Sequence, residues 1–193
     1  MSASAHAAGA EILLVRHAET EWSRDGRHTG RTDIPLTDAG RAAAAALAPA
    51  LAARSLDAVL VSPSLRARET CELCGLGDRA QVREDLLEWD YGDYEGLTTP
   101  QIQAERPGWS LWRDGCPGGE SAADVGARAD RVIAELGAAS AAVFSHGHML
   151  RVLGARWIEL DASAGARLGL STGAVCVLGH ERATAILAAW NRT

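Results

Sequence analysis

Lysine is absent from this 193-residue sequence, and all 19 of its basic residues are arginine. That absence excludes a phosphate-loop lysine and a Schiff-base lysine. It leaves guanidinium, whose planar donor fork suits phosphate oxygens, as the main permanent cation for an anionic ligand. A cysteine framework is missing too. Cys71 and Cys74 are close in sequence, but Cys116 and Cys176 are isolated, which is neither a disulfide pattern nor paired zinc spacing. Reduced, buried thiols are expected. No apolar run approaches the roughly 18 residues a membrane helix needs, and the opening MSASAHAAGA lacks the basic start and apolar stretch of a secretory signal. A soluble, cytoplasmic protein that meets no membrane is expected. Nor is there a basic excess: a net charge of -6 disfavours binding to nucleic acid and points to a small partner.

The chain is long enough for one sizeable core, expected as a single domain over residues 11–193 behind a flexible tail over 1–10. Apolar runs of strand length recur at Ile12–Val15, Ala58–Val61, Ala141–Phe144 and Val175–Leu178. Helical composition fills Thr37–Arg54, Ser64–Cys74 and Ser121–Leu136, the last opening with a capping pair, Ser121 and Asp124. Pro49 predicts a kink or break in the first of these. Residues 85–119, rich in Trp, Tyr, Gly and Pro, read as loop and short helix over the sheet. The alternation predicts an α/β fold with a mainly parallel sheet covered by helices on both faces.

Three of the strand runs end in chemistry. ILLV is followed by Arg16-His17, AVLV by SPSLR with Arg66, and AAVF by SHGH with His146. In an open parallel sheet the carboxyl ends of the strands share one edge, where ligands bind. Two arginines and two histidines gathered there, beside helix starts with free N–H groups, suit a phosphate group. Neutral imidazole is a nucleophile, arginines stabilise a phosphoryl group in flight, and a carboxylic acid can protonate the leaving oxygen. In LLEWDYGDYEG, Glu88 is the favoured acid, with Asp90, Asp93 and Glu95 competing.

LLVRHAETEW, SPSLRARET, LLEWDYGDYEG and SHGH resemble the signature blocks of the histidine phosphatase superfamily, also called phosphoglycerate mutase-like, in order and across nearly the whole chain. The resemblance implies that His17 is transiently phosphorylated, that Arg16, Arg66 and His146 bind the phosphoryl group, and that Glu88 serves as acid and then base. It implies a three-layer α/β/α sandwich and neither metal nor other cofactor. The family's Arg-His-Gly is Arg16-His17-Ala18 here, and an asparagine common in the mutases is replaced by Ser23. TEWSRDGRHTGRTDIPLTDAG and LWRDGCPGGES are most similar to small actinobacterial acid phosphatases and, more distantly, sedoheptulose bisphosphatases. No Arg-Arg pair of the mutase kind is present.

The expected activity is therefore metal-independent hydrolysis of small phosphomonoesters through phosphohistidine. The alternatives are a cofactor-dependent phosphoglycerate mutase and a noncatalytic phospho-ligand module. Ser23, Thr29, Gly30, Tyr91 and Arg113 are candidate substrate contacts, Arg113 for a second anionic group. His148 reads as a spectator in the first helical turn rather than a metal ligand with His146. Trp109 and Trp112, read as exposed, would either mark a homodimer interface or line the pocket.

Overall fold

Residues 10–193 are described by the computed structural model, so the tail expected over 1–10 falls, apart from Ala10, outside the described residues. The chain opens with β1 (Ile12–Arg16), the short helix α1 (Glu21–Arg24), α2 (Asp38–Ala52) and β2 (Ala58–Val61). It continues through α3 (Leu65–Leu73), β3 (Ala80–Val82), α4 (Thr99–Glu105) and α5 (Leu111–Asp114). It closes with α6 (Ala122–Leu136), β4 (Ala141–Ser145), α7 (Gly147–Trp157), β5 (Val175–Glu181) and β6 (Thr184–Arg192).

The strands form one sheet in the order β3-β2-β4-β1-β5-β6. The first four are mutually parallel, while β5 runs antiparallel to β1 and pairs with β6 in a hairpin at the edge. Side chains alternate across the pleat, which assigns each strand residue to one face or the other. Ile12, Leu14, Leu60, Val143 and Leu178 face α6 and α7, where they meet Val125, Val132, Met149 and Leu153. Leu13, Val15, Val59, Val61 and Phe144 face α2 and α3, where they meet Leu51, Ala67 and Cys71. The sheet is thus the middle of three layers. Its central strands read as unbroken apolar runs because both faces are covered, and each fully buried Leu, Ile or Val contributes about 1.5–3 kcal/mol.

Local signals explain the helix ends. Ser121 Oγ accepts the Asp124 N–H while the Asp124 carboxylate accepts the Ser121 N–H, closing the capping box expected at the start of α6. The break expected at Pro49 does not occur: α2 is one helix from Asp38 to Ala52. Pro49 stands in its final turn, where the missing N–H removes a single ladder hydrogen bond.

Candidate active site

The β1 and β4 ends build the centre of the site. Arg16 lies opposite Ser145 in the parallel register, and the His17 N–H donates to the Ser145 carbonyl at 2.9 Å, carrying the ladder one residue past the strand. The His17 ring is thereby held at the sheet edge. Its Nδ1 stands 2.8 Å from the Ala18 carbonyl and so carries the proton, which leaves Nε2 with a lone pair and no protein partner. Burial, reinforced by the Arg66 and Arg16 charges, holds the imidazole well below its ordinary pKa. A neutral ring with a free Nε2 lone pair has the form that nucleophilic attack requires.

Arg16 is the counterpart. One of its N–H groups donates to the Leu170 carbonyl, and its Nε is fully buried with no acceptor. An orphaned buried guanidinium donor is costly, and a bound anion is the natural way to satisfy it. Gly147 makes room for this arrangement, since a Cβ there would lie 3.2 Å from Arg16 Cζ. The glycine of SHGH lets the guanidinium lie against the start of α7.

Arg66, in the first turn of α3, is fully buried. It donates to the Thr29, Gly30 and Thr32 carbonyls and, through Nε, to His146 Nδ1 at 3.1 Å. Four of its five N–H groups are engaged. Glu69, three residues along the same helix, is paired with Arg41. With Nδ1 accepting from Arg66, His146 carries its proton on Nε2, 2.8 Å from Ser62 Oγ. Its ring meets that of His17 edge-on at 5.2 Å. Arg66 and His146 therefore stand behind the His17 ring, whereas Arg16 and His17 face the open cavity.

That cavity, about 250 Å³, is also lined by Glu88, Tyr91, His148 and Arg151, with Ser23, Arg27, His28 and Thr29 on its loop side. Glu88 is the one of the four competing carboxylates that reaches it. Glu95 is committed to the Gly30 and Thr32 N–H groups, and Asp90 to the Gly92 N–H and Arg31. Glu88 Oε1 accepts the Trp89 and Met149 N–H groups and Oε2 accepts the His148 N–H, each within 3.0 Å. The carboxylate sits on the N-terminal turn of α7, with Oε2 keeping one acceptor position free.

The other expected contacts divide. Ser23 and Thr29 line the cavity, though the Ser23 hydroxyl is shared with Thr20 in the α1 capping box and the Thr29 hydroxyl donates to the Arg27 carbonyl. Tyr91 is in the wall. Gly30 is not a lining residue, because Glu95 takes its N–H and Arg66 its carbonyl. Arg113 also misses the cavity: it is exposed, paired with Asp114 and bonded to the Gly108 carbonyl. Trp109 is buried against His28 and Tyr94, and Trp112 lies beneath the Arg151 guanidinium, so neither is the exposed surface expected. The Ala18 methyl packs into a small cluster with Leu36 and Ala44, away from the nucleophile.

His148 is not a spectator, for its ring lines the cavity and meets the Tyr91 hydroxyl. Sequence reasoning also missed His28, Arg27 and Arg151. A usable signal existed for one of them, since Arg151 follows His148 by three residues and so shares its helix face. Burial lowers His28 to about 4. Among the described residues no group of three or more His, Cys, Asp or Glu side chains is placed to hold a metal ion, and no helix is long and apolar enough to cross a membrane.

Comparison with known proteins agrees with this geometry. The profile of the histidine phosphatase superfamily (branch 1) matches residues 12–193. An acid phosphatase of Mycobacterium tuberculosis is 42% identical over 92% of this chain and 90% of its own length. A sedoheptulose 1,7-bisphosphatase of Saccharomyces cerevisiae is 38% identical over 77% of this chain and 67% of its own. A 2,3-bisphosphoglycerate-dependent phosphoglycerate mutase of Mesorhizobium japonicum is 34% identical over 84% and 88%. The solved structure of an open reading frame from Mycobacterium tuberculosis superposes with a TM-score of 0.90 at 41% identity, covering 95% of this chain and 98% of that one. With a profile spanning all three strand-end blocks and Glu88, the chain belongs to the histidine phosphatase superfamily.

Proposed function

We propose that the protein is a phosphatase that hydrolyses small phosphomonoesters through a phosphohistidine at His17, without a metal. The observation that carries this reading is the pairing of a buried Arg16 Nε that has no acceptor with a neutral His17 whose Nε2 is free. His17 Nε2 attacks phosphorus, and the bond to the ester oxygen breaks as Glu88 hands that oxygen its proton. The alcohol departs. Glu88, now the base, takes a proton from water, whose oxygen attacks the phosphohistidine to release phosphate and restore the imidazole. Arg16 stabilises the phosphoryl oxygens in flight, while Arg66, held by His146 behind His17, adds its positive charge to the site. These groups provide the charge that a metal would otherwise bring.

The leaving half occupies the cavity between its loop side, which carries Arg27, and α7, which carries Arg151, and these cations take the role first considered for Arg113. That favours a small metabolite carrying polar or anionic groups. The acid phosphatase relative supports hydrolysis. The mutase relative supports a second reading, in which a bisphosphorylated intermediate is retained and reoriented. Phosphate release from a panel of phosphomonoesters, with a chelator present, tests the proposal. Wild type should turn over and His17→Ala should not. Retained activity in His17→Ala would refute the mechanism, and interconversion of phosphoglycerates without net hydrolysis would favour the mutase.

A further inference from the structure

Tyr91 and His148 form a hydrogen-bonded pair in the cavity wall that the phosphoryl-transfer steps do not use. The Tyr91 hydroxyl is 2.6 Å from His148 Nδ1. Burial, with the Glu88 charge beside it, raises the phenol well above its ordinary pKa. Burial, with Arg151, His28 and Arg16 around it, lowers the imidazole well below its own. Both groups are therefore neutral, and one proton lies between them.

The direction of that bond follows from the partners. Tyr91 is almost wholly buried and its hydroxyl has no other protein acceptor. If Nδ1–H donated to the phenolic oxygen, the phenolic proton would have no protein acceptor, and a residue only 2% exposed offers it little water, a costly arrangement. With the hydroxyl donating to Nδ1, both groups are satisfied and the imidazole proton sits on Nε2. Nε2 makes no hydrogen bond to protein, yet it is not sealed in: among the described residues Arg16 Nε is the buried side-chain atom without a partner. The His148 side chain keeps 21% of its surface and lines the cavity. Its ring is held in place edge-on by Trp112, at 5.3 Å between centroids, and by Trp89, at 6.2 Å. It also stands beside the proposed acid, with Nδ1 4.0 Å from Glu88 Oε2. A fixed donor therefore faces the space where the leaving half must pass.

We infer that His148 is a specificity-determining residue: held in one tautomer by Tyr91, it donates its Nε2–H to an oxygen of the leaving half beyond the ester, so that phosphates of polyols and hydroxy acids are preferred over phosphates of simple alcohols. The inference rests on the phosphomonoesterase reading. A site built to hydrogen-bond a substrate oxygen discriminates against the analogue that lacks it.

The test compares kcat/KM for glycerol 3-phosphate and n-propyl phosphate, which differ in the hydroxyls of the leaving half, in wild type, His148→Leu, His148→Gln and Tyr91→Phe. Wild type should favour the glycerol ester. His148→Leu should lower the ratio of the two values about tenfold, the worth of one neutral hydrogen bond. His148→Gln, which keeps an N–H at similar reach, should restore most of the ratio and guards against a leucine variant that folds poorly. Tyr91→Phe should lower the ratio in part, and combined with His148→Leu it should add nothing further. A ratio in His148→Leu within about twofold of wild type, or fully additive losses in the double variant, would overturn the assignment while leaving the phosphatase reading intact. Release by wild type from other esters of the panel but from neither of these two would overturn the assignment alone, and release from no ester would overturn both.

Discussion

Arg128 gives the sharpest test of how the fold holds its proposed acid. This α6 side chain is 9% exposed. It makes a bidentate ion pair with Glu120, both contacts at 2.8 Å, and donates to the Asp85, Leu87 and Glu88 carbonyls at 2.8, 2.7 and 3.3 Å. Glu120 in turn accepts the Asp90 N–H and, through its carbonyl, the Trp89 indole N–H. The segment that presents Glu88 thus hangs on one buried ion pair. Arg128→Met keeps the apolar stem but removes the guanidinium, leaving a half-buried carboxylate and three carbonyls without their donor. Breaking a buried pair from one side costs about 3–5 kcal/mol. With a urea slope near the upper end of the usual range, the unfolding midpoint should fall by roughly 1–2 M. A shift of the Glu88 carboxylate by about 1 Å would also lower kcat by about 100-fold. Arg128→Met with Glu120→Leu should recover much of the stability, because an apolar pair can replace a buried ionic one, while kcat should stay low. Arg131, on the same helix but exposed and paired with Asp85, provides the control, and its replacement by alanine should barely move the midpoint. A midpoint for Arg128→Met within about 0.3 M of wild type, or an unchanged kcat, would refute the reasoning.

Three further outcomes follow from the site. Because His17 is held well below its ordinary pKa of 6.5 by burial, Arg66 and Arg16, it stays neutral as pH falls through that value. The acid limb of kcat/KM, which reports the free enzyme, should lie below 6.5, and a limb at or above it would contradict the burial argument. Gly30→Ala would place a Cβ 2.7 Å from Glu95 Oε2 and 2.8 Å from the Trp89 carbonyl; a loss of about 1–3 kcal/mol is expected. Thermal unfolding reads that loss as roughly 2–4 °C per kcal/mol, and an unchanged Tm would mean the loop is not seated as described. Arg113→Ala should leave KM unaltered for every substrate of the panel, since the side chain points away from the cavity; a rise in KM for doubly anionic substrates alone would reinstate it as a contact.

The parts of the site legible in the sequence are those delivered by the sheet. Arg16, His17, Arg66 and His146 each follow an apolar run, and parallel strands bring their carboxyl ends to one edge regardless of what the loops do. Glu88 was separable from Asp90 and Glu95 by resemblance rather than by spacing, and the reason is now visible: all three are loop carboxylates within a few residues, and their jobs depend on which N–H groups the surrounding chain turns toward them. His28, Arg27 and the role of His148 escaped because their access to the cavity depends on how the segments around α1 and α7 fold over it, which no local period encodes, whereas Arg151 was marked by its helical spacing from His148. Strand β3 is only three residues long, and β6 is alanine-rich without clean alternation, so neither produced a strand signal. Their pairing comes from the neighbours they add to.

The register between β1 and β4 has one more consequence. Arg16 sits opposite Ser145, so His17 and His146 leave adjacent rungs of one hydrogen-bonded ladder. Adjacent strands lie about 4.8 Å apart, and a ladder buried on both faces cannot slip by a residue without exchanging the side chains packed in its two cores. The sheet therefore works as a ruler for the reacting centre, with its length scale set by backbone geometry rather than by any side chain. Loop residues of segments 22–30 and 85–119 other than Glu88 can be redrawn for a different alcohol while the ruler stays as it is. The loop contribution to selectivity can drift without altering the spacing of His17 and His146, whereas His148, two residues beyond that ladder, stays tied to it.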